Sequence, residues 1–129
     1  MEPSSQPPYP VGLRLAGRRV VVVGGGSVAQ RRVPVLIEAG ADVVVVSPAV
    51  TPALEGMADE VIIVLREFTE SDLDEAWYAI AATDDPEVNA RVLAAAEERR
   101  VFCVRADDAR EASAWTMASG RHGRVTGRA

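Results

Sequence analysis

The chain has 129 residues, 48% apolar and 26% charged, with a formal net charge of −5. That length suffices for one domain with a buried core, and no apolar run approaches the ~20 residues of a membrane-spanning helix. Every basic residue is arginine, so a lysine Schiff base or lysine phosphate clamp is excluded.

Residues 1–104 carry 9 arginines against 16 acids, and this acidic body argues against general nucleic-acid binding. Residues 105–129 reverse the balance, with 5 arginines against 3 acids. The single cysteine, Cys103, excludes an internal disulfide and fits a reducing cytoplasm. The opening MEPSSQPPYP lacks the basic and apolar regions of a secretory signal, and residues 1–10 read as a flexible arm.

Apolar runs then alternate with helical patterns. Arg19–Val23 reads as a first strand. Ser27 to Ala39 reads as a helix with Ala29, Val33, Leu36 and Ile37 on one face, interrupted and bent at Pro34 and stopped by Gly40. Asp42–Val46 is a second strand, ended by Ser47-Pro48. Thr51–Met57 suits a short helix with Pro52 in its first turn. Val61–Leu65 is a third strand, Glu70–Asp74 a helical turn and Trp77–Ala82 a fourth strand. Asp85–Arg99 reads as a helix with Val88, Val92, Leu93 and Ala96 inward, and Val101–Val104 as a fifth strand. Five strands in this alternation predict an α/β, Rossmann-like, doubly wound parallel sheet of order 3-2-1-4-5, with a ligand crevice between strands 1 and 4.

The motifs fall at the carboxyl ends of these strands. Gly24-x-Gly26-x-x-Ala29 is the Gly/Ala form of the dinucleotide fingerprint. Gly24 permits the tight turn, Gly26 a close backbone approach to pyrophosphate, and Ala29 close packing of the helix on the strand. The second strand ends without the usual ribose-binding acid and without an arginine for a 2′-phosphate. NAD and NADP therefore both stay open on local chemistry, with Ser47 able to bond a ribose hydroxyl and the Ala49 backbone able to approach the adenine. Thr83 is placed to touch the nicotinamide half of the cofactor, while Asp84 or Asp85 can cap the next helix ahead of Pro86. A carboxylate at Asp107 or Asp108 can take a proton while a hydride leaves for the cofactor, or can simply serve a turn. Cys103 reads as a buried small hydrophobe, and His122 has no second ligand at metal spacing, so no metal site is expected. Arg105, Arg110, Arg121, Arg124 and Arg128 can meet a polycarboxylate or remain solvated.

Three stretches together carry a resemblance: YPVGLRLAGRRVVVVGGGSVAQRR, AWYAIAATDDPEVN and RRVFCVRADDA. From about Tyr9 to Arg124 the chain resembles the amino-terminal module of siroheme synthase, which is precorrin-2 dehydrogenase and in some members sirohydrochlorin ferrochelatase. The resemblance implies NAD-dependent oxidation of precorrin-2, a tetrapyrrole rich in carboxylates, to sirohydrochlorin. It implies NAD contacts at Ser27-Val28 and Pro48-Ala49, and places the family's essential aspartate on Asp107. It further implies a cytoplasmic homodimer whose dimerisation region is largely missing here. The expected layout is an NAD-binding domain over 11–111 and the start of a truncated dimerisation region over 112–129. Met117 stands where the family usually has proline, and Gly127-Arg128-Ala129 interrupts an expected apolar strand. A non-catalytic NAD-binding module and a truncated inactive domain are the alternatives.

Overall fold

The computed structural model describes residues 6–106. Five strands alternate with helical segments: β1 (Arg19–Val23), α1 (Ser27–Glu38), β2 (Asp42–Val46), α2 (Pro52–Glu55), β3 (Ile62–Val64), a 3-10 turn (Glu70–Leu73), β4 (Tyr78–Ala81), α3 (Pro86–Arg99) and β5 (Phe102–Arg105). All pairings are parallel and the order is β3-β2-β1-β4-β5, as the alternation predicts.

The valine runs form strands because both faces of the sheet are covered, so every residue of the run has an apolar destination. Val20, Val22, Val43, Val45 and Ile80 point to the face covered by α1 and α2, where they meet Ala29, Val33, Leu36 and Leu54. Val21, Val23, Val44, Val46, Ala79 and Cys103 point to the other face and meet Phe68, Leu73, Val92, Ala95 and Ala96. Burial pushes the Cys103 thiol up to about 12, so it behaves as a small hydrophobe at neutral pH.

Four details depart from the sequence reading. Helix α1 runs unbroken through Pro34, which lies exposed while Val33 and Leu36 anchor the helix to the sheet. The missing N–H therefore falls on the solvent side. On α3 the fully buried positions are Asn89, Val92, Ala95 and Ala96, with Val88 and Leu93 only partly covered. Trp77 lies outside β4 and is exposed; the Arg18 guanidinium stacks 3.8 Å from its ring centroid. Val61 precedes β3 as a buried anchor. Leu15 is buried, whereas the described residues before it are exposed.

Candidate functional site

The carboxyl ends of the strands open into a cavity of about 920 Å³ at the point where the strand order reverses, between β1 and its neighbours β2 and β4. An open α/β sheet binds ligands at this place, because the two crossovers leave in opposite directions and expose a crevice. Gly24, Gly26, Ser27, Val28, Ser47, Pro48, Ala49 and Thr83 all line it, so the structure brings together every expected cofactor contact within the described residues. Ala106, the last described residue, lines it too. Asp107, Asp108, His122 and the arginines from Arg110 onward lie outside the described residues.

The three glycines do three different jobs. Gly24 has φ +129°, a region L side chains rarely adopt, and an added Cβ would lie 2.5 Å from the Ala82 carbonyl oxygen on β4's exit. Gly25 faces the opposite way: its Cβ would overlap the Ala49 carbonyl and lie 2.9 Å from Ser47 Oγ. The fingerprint spacing treats this middle position as free, so sequence reasoning passed over Gly25. At Gly26 an added Cβ would meet nothing within 4 Å, which leaves that backbone open to the cavity. Two backbone hydrogen bonds fasten the loop to its neighbour, Gly24 N to the Val46 carbonyl at 2.9 Å and Thr51 N to the Gly25 carbonyl at 3.0 Å.

Gly26 is also the N-cap of α1, and no side chain caps that end. By contrast, Thr51 Oγ1 caps α2 by accepting from Leu54 N, and the Asp85 carboxylate caps α3 by accepting from Glu87 N at 2.9 Å. The first N–H groups of a helix have no intrahelical partner. On α1 they are left for an anion in the cavity, with the helix dipole adding to the attraction.

The β2 exit is a tight turn. Ser47 is buried and its hydroxyl donates to the Ala49 carbonyl at 2.7 Å, so its proton serves the turn rather than a ribose. The β4 exit is held by Asn89, which is 1% exposed. Its Oδ1 accepts from Thr83 N at 3.1 Å, and its Nδ2 donates to the Thr83 carbonyl at 2.9 Å. The Thr83 hydroxyl has two acceptors within reach, Asn89 Oδ1 at 2.8 Å and the Asp85 carbonyl at 3.0 Å. Sequence reasoning missed Asn89. Its signal was a polar residue four positions past the Asp85 cap, on the face that α3 turns inward. Of the two candidate caps, Asp85 performs the role, and Asp84 is exposed along the cavity.

The β3 exit carries an ion pair. Arg66 Nη1 donates to Asp72 Oδ2 at 2.9 Å, and Arg66 Nη2 to Asp72 Oδ1 at 2.5 Å. Thr69 N donates to the same buried carboxylate at 2.8 Å. Hydrogen bonding from Arg66 first, with Thr69 and charge attraction adding, outweighs the cost of burial and holds the Asp72 carboxyl below its usual range.

Sheet order, glycine loop and uncapped helix end together define a dinucleotide-binding Rossmann domain. The chain belongs to the family described as "Putative NAD(P)-binding", whose match spans residues 11–118. Its likeness to siroheme synthases, read above from three motifs, is borne out. It is 45% identical over 106 residues to siroheme synthase 2 of Klebsiella pneumoniae subsp. pneumoniae, covering 81% of this chain and 23% of that protein. It is 44% identical over 112 residues to siroheme synthase of Escherichia coli O1:K1 / APEC, covering 85% of this chain and 24% of that protein. The chain thus spans about a quarter of the length of these curated relatives. Among solved structures, SirC, precorrin-2 dehydrogenase, superposes with a TM-score of 0.75 at 28% identity, covering 91% of this chain and 58% of that one. Among the described residues, no helix is long and apolar enough to cross a membrane.

Proposed function

We propose that this chain is the NAD-binding part, over residues 11–111, of a cytoplasmic precorrin-2 dehydrogenase that yields sirohydrochlorin. The observation that carries the reading is the cavity at the sheet's switch point, with the open Gly26 backbone and the uncapped α1 terminus at its wall. The likeness to SirC supports the substrate class. NAD is favoured over NADP by the resemblance to the siroheme synthase module, since the β2 exit, Ser47-Pro48-Ala49, carries neither a ribose-binding acid nor a cation for a 2′-phosphate.

The residues present fit a dinucleotide. Gly26, Ser27 and Val28 would hold the pyrophosphate through backbone N–H groups, Pro48 and Ala49 would border the adenosine, and Thr83 the nicotinamide half. NAD, when bound, supplies a hydride acceptor. The protein's part is to orient that acceptor against a C–H bond of the tetrapyrrole and to remove the accompanying proton. Asp107 is proposed for that proton, since it directly follows Ala106, a residue of the cavity wall. Homodimerisation, as in the family, belongs to the same proposal.

The test is precorrin-2 turnover by the chain with NAD, read as reduced nicotinamide appearing. Calorimetry in parallel follows NAD binding. Turnover that disappears in Asp107→Ala with NAD binding intact supports the reading. NAD binding without any oxidation of precorrin-2 by the native chain would sink the dehydrogenase assignment.

A further inference from the structure

Rossmann sheets usually place an acid at the end of the second strand, where it accepts the hydroxyls of the adenosine ribose. Here that position is Ser47, whose hydroxyl donates to Ala49. Pro48 follows and brings no polar side chain. The ribose end of the cavity therefore has no carboxylate from β2.

A carboxylate reaches the same end from the neighbouring strand. β2 and β3 pair in parallel with Val46 opposite Val64, and Ser47 N donates to the Val64 carbonyl at 3.1 Å. The two exits thus emerge side by side, about 4.8 Å apart, the ordinary strand spacing. Glu67 lies three residues past Val64, is exposed, and lines the cavity. Phe68, next in the chain, is buried and also lines the cavity, with Arg91 of α3 beside it. The Arg91 guanidinium sits 5.7 Å from the Phe68 ring centroid and donates to the Phe68 carbonyl at 3.3 Å. Phe68 itself is core, but the half-exposed Arg91 guanidinium seated over it offers a flat cationic face on which a purine base can stack. A purine there leaves its ribose between the Ser47 turn and Glu67.

The cations nearby are already engaged. Arg66, adjacent to Glu67, is held by both oxygens of Asp72 and by the Glu67 carbonyl at 3.0 Å. Arg91, the cation lining the cavity among the described residues, leans on Phe68 and lies 3.6 Å from Glu70.

We infer that Glu67 is the ribose acceptor of this site, entering from β3 in place of β2, and that it selects an unphosphorylated adenosine ribose over a 2′-phosphorylated one. The inference rests on the NAD reading above. A carboxylate gains a charge-assisted hydrogen bond from a ribose hydroxyl and repels a phosphate at the same position.

Calorimetric titration of the native chain and of Glu67→Ala tests this, with NAD, NADP and NAD lacking the adenosine 2′-hydroxyl as probes. The native chain is expected to bind NAD at least about tenfold tighter than NADP, in line with one charge-assisted bond. Glu67→Ala should weaken NAD about tenfold and should tighten NADP, since the charge that repels the 2′-phosphate is gone. The 2′-deoxy analogue should bind both chains equally. Glu67 is exposed, so the variant should melt with the native chain. A native chain that binds NADP as tightly as NAD overturns the NAD reading itself. A native preference that survives in Glu67→Ala, or a 2′-deoxy analogue that still distinguishes the two chains, overturns the Glu67 assignment alone.

Discussion

The loop Gly24–Ser27 and the loop Thr83–Asp85 face each other across one cavity, and they hold their shapes by opposite means. The first depends on absent side chains: Gly24 approaches the backbone of Ala82, Gly25 approaches the backbone of Ala49, and only backbone hydrogen bonds fasten it. The second depends on side chains: the buried amide of Asn89 grips both the N–H and the carbonyl of Thr83, and the Asp85 carboxylate starts α3. The β3 exit belongs with the second kind, since the Asp72 carboxylate gathers Arg66 and Thr69. A loop set by backbone contact tolerates no added atom. A loop set by a side chain loses only that side chain's bonds.

The largest effect should therefore come from adding one methyl to the first loop. Gly25→Ala drives a Cβ into the Ala49 carbonyl, and Gly24→Ala adds a positive φ to a 2.5 Å approach. Each should cost about 3 kcal/mol or more in urea unfolding, because rigid backbone sits on the far side of the clash. Stability unchanged in either variant would remove the basis of the contrast. Asn89→Ala comes next. It strips the Thr83 N–H and carbonyl of their Asn89 partners and leaves two part-buried backbone groups to find others, a loss of about 2 kcal/mol. Gly26→Ala sharpens the distinction within the glycine loop itself. Its Cβ meets no protein atom, so the fold should change by about 1 kcal/mol or less while NAD affinity falls about tenfold. Melting with and without NAD separates the two effects, since a ligand of the native state raises the melting temperature.

This contrast also explains what the sequence made legible. The glycine loop was readable because its constraint is local: small residues at fixed offsets between a β-branched run and a helical one. The strand order followed for the same reason, from the alternation of valine runs with helical patterns. Gly25 was not readable, because what forbids its side chain is the Ala49 carbonyl, brought there by the pairing of β1 with β2. Asn89 hid behind an apolar helical face on which an inward amide looks out of place until Thr83 is folded against it. Ser47 shows the reverse case. A hydroxyl at the right strand end suggests a ribose contact, and its proton goes to the turn it begins, which leaves the oxygen as the atom that can accept from a ribose. At Pro34 the expected interruption does not occur, because a helix-breaking residue on an exposed face loses one hydrogen bond but no packing.

The smallest predicted effect concerns the β3 exit and depends on pH. Arg66 above all, with Thr69, lowers the Asp72 carboxyl from its ordinary value of 3.8. Its stabilising contribution is then fully present above that ordinary value and is lost as the pH falls through the lower, folded value. The native chain should lose stability below about pH 4. The Asp72→Asn variant should be the less stable at neutral pH and should lose less on acidification, because it has no carboxylate there to protonate. Arg66 is half exposed, so solvent screens the pair and the difference should stay well below that of Asn89→Ala. Melting curves from pH 7 to about pH 2 check the sign. If the two chains converge as the pH falls, Asp72 fastens the β3 exit as Asn89 fastens the β4 exit. If they run parallel, the bidentate pair contributes nothing to the fold, and the turn from Thr69 to Leu73 is held by its backbone hydrogen bonds, by Arg19 on the Asp72 carbonyl and by the burial of Leu73.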